Sequence, residues 1–331
     1  MKQLKLFALF AALLFASLGY SQHSIGNLKL DTRFDFDYQP DKTGDSSGFN
    51  GKYLNIVLDG KINDRFSYRF RHRMQLNGYE SYRGFFRQTD MAYLSYWASD
   101  EISLSAGKQV VAIGGFEYDY APIDVFFWSD FWNNITCYQI GASINYIKPN
   151  HNFGFQITSS PFARSNLSSL YAYNLIWYGD MDWFKTIYSI NMIEYAKDRF
   201  TNYIALGNQF HFGDFILDFD YMNRTSDKAD NYFVDFSIIA NLKFKLGNFM
   251  PFIKGGYDQN KAEERAMLTP FDLVVRPGVE YAFGGIGTEY FPIKDKDDIR
   301  LHAFWAMNNN PTHKHTFNIG VRWQMKIIEN K

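Results

Sequence analysis

The chain of 331 residues holds one cysteine, Cys137, so no intrachain disulfide can brace it. Past the first 21 residues no run of about 18 consecutive apolar residues occurs, which excludes a membrane-spanning helix. Net charge is nearly absent too. The 34 Lys and Arg residues almost balance 35 Asp and Glu, which argues against a nucleic-acid partner. Catalytic signatures are missing: there is no Gly-x-Ser-x-Gly elbow, no His-Glu-x-x-His, no phosphate-cradling glycine loop and no cysteine cluster. The seven histidines are scattered; His313 and His315 bracket Lys314 in a stretch that reads as a solvated loop rather than a metal site. The expectation is a non-enzymatic protein with no cofactor and no metal.

Aromatic residues are abundant. The 33 Phe, 23 Tyr and 7 Trp make up 19% of a chain whose mean hydropathy is only −0.31. Such a surplus on a polar-average chain fits strands with one lipid-facing side and aromatic girdles at both interfaces. The first residues fit export. Met1 to Lys5 is basic, Leu6 to Leu18 is uncharged and apolar, and Gly19-Tyr20-Ser21 offers small residues for cleavage before Gln22. Cleavage leaves 32 basic residues against 35 acidic, a formal charge of −3. Residues 1–21 are therefore expected to be a signal peptide and 22–331 a single β-barrel.

The segment Arg65 to Leu76 shows the pattern most sharply. Arg65, Ser67, Arg69, Arg71, Arg73 and Gln75 alternate with Phe66, Tyr68, Phe70, His72, Met74 and Leu76. A strand turns successive side chains to opposite faces, giving one aromatic wall and one guanidinium ladder with a repeat of about 6.6 to 6.8 Å. Comparable alternation runs through Leu28–Tyr38, Tyr53–Ile62, Phe215–Tyr221, Val234–Leu246 and Thr316–Ile327. Connections alternate as well. Tight turns are expected at Asn63-Asp64, Ser99-Asp100, Pro149-Asn150, Gly179-Asp180, Gly213-Asp214 and Gly247-Asn248, with longer polar connections between them. Short turns on one side and long loops on the other are the rhythm of a membrane barrel. The expected fold is all-β: a transmembrane antiparallel up-and-down barrel of about 16 strands, with 14 or 18 open because Phe271–Ile293 reads as one strand or two.

Lipid cannot satisfy charge, so the polar faces should line the lumen. The basic lining candidates are Arg33, Lys61, Arg65, Arg69, Arg71, Arg73, Lys243, Lys245 and Arg322. Guanidinium groups stay charged and donate in pairs, which suits phosphate and carboxylate. Against this stands a bracing role, with the arginines paired to Asp31, Asp35, Asp37 and Asp59 on neighbouring faces. The longest and most aromatic connection, Gly114 to Thr136, carries Phe116, Glu117, Tyr118, Asp119, Tyr120, Phe126, Trp128, Asp130 and Trp132. It reads as a loop folded into or over the pore, with the rim or a neighbouring subunit as the other placement.

Two segments resemble the phosphate-selective porin O/P family in the form common among Bacteroidetes. The first is Leu94 to Gln109 with its Gly107-Lys108-Gln109 element leading into Gly114-Gly115. The second is Gly287 to Ala303 followed by His315 to Trp323. The resemblance implies a bacterial outer-membrane barrel of sixteen strands, set in lipid and usually trimeric, with an Arg- and Lys-lined water-filled channel. Small hydrophilic solutes, anions such as phosphate among them, would cross it passively. Two departures stand out: acidic residues share the polar faces, and the chain ends Ile327-Ile-Glu-Asn-Lys331 instead of on an aromatic residue. A non-conducting adhesion or carbohydrate-binding barrel is the alternative reading, and a barrel hydrolase a more remote one.

Overall fold

The computed structural model describes residues 26–40, 44–74, 84–163, 169–226, 233–261, 274–275, 278–294, 296–310 and 314–329. The expected signal peptide, His313 and parts of several long connections lie outside these residues. Sixteen antiparallel strands close into one barrel in which every strand pairs with its sequence neighbours and β1 closes on β16. They are β1 Asn27–Gln39, β2 Ser46–Lys61, β3 Phe66–Arg73, β4 Thr89–Trp97, β5 Ile102–Val110, β6 Tyr138–Lys148, β7 His151–Ser159 and β8 Tyr171–Met181. The second half comprises β9 Phe184–Ala196, β10 Arg199–Phe212, β11 Phe215–Ser226, β12 Asp235–Phe244, β13 Phe249–Gln259, β14 Glu280–Tyr290, β15 Ile299–Asn308 and β16 His315–Glu329. Closure gives every strand two partners and removes the open edges that lipid would not tolerate.

Alternation sorts the faces as expected. Leu175, Ile190, Ile253 and Ile319 are exposed on the outside, each more than half open, while their neighbours Asn174, Asn191, Lys254 and Asn318 turn inward and are buried. The count of sixteen holds because Glu280–Tyr290 is one strand that carries Gly284 and Gly285 within it. Several boundaries differ from expectation. Gly179 and Asp180 lie inside β8, and the turn falls at Asp182-Trp183, where Asp182 takes a left-handed φ of 57°. The rhythm of short and long connections also breaks twice. The β9–β10 connection on the long side is only Lys197-Asp198, and the β14–β15 connection on the short side runs from 291 to 298. At its end β16 continues to Glu329, which pairs with Asn27, so Ile327 to Glu329 belong to the strand.

One region of the interior is not polar. Val111, Ile113, Tyr118, Phe131 and Ile135 from the β5–β6 connection pack with Ala172, Ile193, Tyr203, Ala205 and Met222 of β8 to β11. Phe162, Val274 and Val275 from other connections join them. The barrel therefore holds a hydrophobic core inside its lumen, built between the wall and an inserted loop.

Candidate functional site: a lumen partly filled by one loop

The connection from Val111 to Cys137 enters the barrel. It forms short helices at Phe116–Asp119 and Asp130–Asn134 and a 3-10 turn at Pro122–Asp124. Backbone approaches at glycine start the insertion. A Cβ on Gly114 would lie 2.6 Å from the Ile187 carbonyl oxygen, and one on Gly207 would lie 2.7 Å from Gly115 Cα. Gly115 has a φ of 107°, which only glycine adopts freely. The Asp220 carboxylate on β11 then accepts from the backbone N–H groups of Phe116 and Glu117, both at 2.8 Å. A wall residue thus caps the first loop helix. The second is capped locally, by Ser129 accepting from the Trp132 N–H at 3.0 Å.

Charged anchors hold the rest of the loop. Lys254 on β13 pairs with Glu117 at 2.6 Å and donates to the Phe127 carbonyl at 2.6 Å. Glu117 also accepts from Ser129 Oγ. Asp130 donates its N–H to Asp258 at 2.7 Å. The Tyr120 hydroxyl donates to Asp218 at 2.8 Å and accepts from Lys243 at 2.8 Å; burial, then the Asp218 charge, push its pKa up. Asp124 sits 3.1 Å from both Arg300 and Arg322. Arg33 is 2% exposed, pairs with Asp35 at 2.7 Å and donates to the carbonyls of Ile123 and Val125. Its guanidinium also stacks over Phe126, which contacts His302, Phe252 and Phe304. Trp128 and Trp132 lie ring to ring, 5.2 Å apart. Cys137 packs against the apolar core, where burial pushes its thiol up to about 11.

These hydrogen bonds and ion pairs fall on β1, β11 to β13, β15 and β16, and the start of the connection adds Gln156 of β7 and Ser189 and Asn191 of β9. On the opposite wall, Arg69 is exposed, and Tyr93, Ser105, Ser143 and Asn145 are half-buried. A cavity of about 390 Å³ remains at the short-turn end, between Phe116, Asp119 and Tyr178 on one side and residues 147–152 on the other. None of these anchors of the loop falls on β2 to β6.

The basic candidates divide accordingly. Lys61, Arg65 and Lys245 are exposed at the ends of tight turns, and Arg65 reaches the Tyr96 hydroxyl at 3.5 Å; they sit at the rim rather than along the channel wall. Arg33, Lys243 and Arg322 are engaged with the inserted loop. Arg71 and Arg73 share Asp90 at 2.9 Å each, so their brace is not Asp31, Asp35, Asp37 or Asp59. Asp35 instead pairs with Arg33 on its own strand. Asp59 stands opposite Arg69 in register, but its carboxylate accepts from Asn27 at 2.9 Å. Arg69 alone of the β3 set has no ion pair or side-chain hydrogen bond among the described residues.

Residues 26–181 match the family model of phosphate-selective porin O and P. No curated protein sequence matches significantly. Among solved structures, the outer-membrane expressed OmpT of Vibrio cholerae shares 11% identity at a TM-score of 0.61, covering 92% of this chain and 99% of that one. A trimer form of OmpT from the same organism gives 12%, 0.58, 90% and 98%. Salmonella typhi OmpF in complex with daunomycin gives 12%, 0.60, 91% and 98%. At such identities the likeness is one of fold. With the family match over the first half of the barrel and the porin fold over nearly all of it, the chain forms an outer-membrane porin channel.

Proposed function

We propose that small hydrophilic solutes cross this porin passively along the β2–β6 side of the lumen, and that anions are favoured. The observation that carries this reading is the one-sided packing of the inserted loop, which leaves Arg69 as an exposed, unpaired guanidinium on the facing wall. Such a group attracts oxyanions through charge-assisted hydrogen bonds without holding them for long, as conduction requires. The family's description as phosphate-selective supports the same preference. The porin is a channel rather than an enzyme, and the ionisable wall groups that contact the inserted loop serve to anchor it. The signal peptide is cleaved before Gln22, and the barrel assembles as a homotrimer, as the trimer form among its structural relatives suggests.

Single-channel recording in a planar bilayer under a KCl gradient, with phosphate then added to one side, tests the reading. An anion-selective reversal potential with phosphate block supports it. Conductance without selectivity leaves general diffusion only, and absence of conductance overturns the channel itself.

A further inference from the structure

We propose that Asp90 sets the size of the anion preference by silencing two of the three lumenal arginines of β3; this rests on the channel reading above. The register carries the argument. Arg71 pairs with Met91 and His72 with Thr89, so Asp90 is one extra residue in β4, a β-bulge. In an unbroken strand Asp90 would share a face with Ala92 and Leu94, and Leu94 is exposed on the outer wall. The bulge turns its carboxylate inward instead. There it is 2% exposed and lies 3.0 Å from Arg71 Nε and 3.0 Å from Arg73 Nε.

Arg71 is engaged through two of its three guanidinium nitrogens. It makes a second contact with Asp90 at 2.9 Å and donates to the Tyr138 hydroxyl, with its guanidinium over the Tyr138 ring. Arg73 leans on the same ring, leaving its side chain 40% open. A passing anion would have to displace a carboxylate already bound at close range, so neither group can pass anions on freely. Two cations and one anion leave a single net positive charge, and Arg69 remains the open guanidinium. The alternating arginines therefore form a deliberately weakened ladder, in which one acidic residue governs how strongly oxyanions are held.

The test compares reversal potentials and phosphate block for the wild-type protein, Arg69→Gln, Asp90→Asn and the double variant Arg71→Gln/Asp90→Asn. Heat-modifiable migration of the folded barrel on a gel checks folding. Arg69→Gln should lower the anion-to-cation permeability ratio, whereas Asp90→Asn should raise it on the order of two-fold and deepen phosphate block. The double variant keeps the local formal charge but frees Arg73, and it avoids leaving the buried Arg71 guanidinium without its carboxylate should Asp90→Asn alone fail to fold. Deeper phosphate block in the double variant than in the wild type supports the proposal. An unchanged block there, with Arg69→Gln still shifting selectivity, overturns the role of Asp90 and leaves the channel reading intact. A wild-type barrel without anion preference, unmoved by Arg69→Gln, overturns the channel reading's selectivity and this inference with it.

Discussion

Gly207 on β10 and Gly115 in the inserted loop meet backbone to backbone: a Cβ on Gly207 would come within 2.7 Å of Gly115 Cα and 3.0 Å of its nitrogen. The atoms on the other side of this contact are main chain, so no side chain can swing aside to make room. Replacing Gly207 by valine should push the loop off the β10 wall and cost about 1–3 kcal/mol through overpacking. The Asp220 cap on Phe116 and Glu117 would be strained at the same time. Thermal unfolding in detergent should show the loss, and single-channel records should show a smaller conductance as the loop moves into the free side of the lumen.

Arg33 ties the far end of the same loop. Its guanidinium serves Asp35 and two loop carbonyls at once, from a position almost without solvent contact. Arg33→Ala leaves the Asp35 carboxylate with His302 and Asn318 but without its charged partner. Breaking a buried pair this way costs about 3–5 kcal/mol. Arg33→Lys should rescue poorly, because a single ammonium cannot reproduce the fork that spans Asp35 and both carbonyls. The expected readouts are a lower unfolding temperature and added current noise from a loop that is no longer pinned at Ile123 and Val125.

The barrel itself was legible in the sequence because lipid enforces a strict period of two on the outer face, and Ile190, Leu175 and Ile319 obey it. The inner face answers to no such rule. Where the loop covers the wall, Ile193, Tyr203 and Met222 are buried in an apolar core, and single-sequence alternation gives no sign of which lumenal positions a loop will cover. The aromatic run from Phe116 to Trp132 did point to an inserted loop, since so many rings need somewhere to pack. Asp90 is hidden in the sequence for a different reason. Its parity assigns it to the outer face, and only the register shift between Arg71 and His72 shows that it points inward. Lys61, Arg65 and Lys245 stand at the ends of tight turns, a height along the barrel that alternation, which fixes only a face, does not give.

Removing most of residues 114–136 follows from the same core. The free lumen should widen and conductance rise, because the loop occupies the space beside β7 to β16. Unlike a shortened surface loop, this deletion also strips the cover from Ile193, Tyr203, Ala205 and Met222 and exposes them to channel water. The shortened barrel should therefore unfold at a lower temperature. A conductance equal to that of the full-length barrel would place the loop outside the conducting path.

Glu117 and Lys254 offer the sharpest test of how the loop is held, because both are nearly buried, at 5% and 9% side-chain exposure, and 2.6 Å apart. Lys254→Met leaves Glu117 with only Ser129 as a partner for a buried charge, and Glu117→Gln leaves the Lys254 ammonium with the Phe127 carbonyl and the rings of Phe127 and Phe283. Each single change should destabilise the barrel by about 3–5 kcal/mol, since one ion stays behind unpaired. The double variant removes both ions together. It should recover part of the loss, with a coupling of about 0.5–3 kcal/mol between the two sites. Thermal unfolding of the four proteins measures that coupling. If the two losses simply add, the pair does not act as a unit, and the loop is held at this point by the Ser129 cap and the phenylalanine cluster alone.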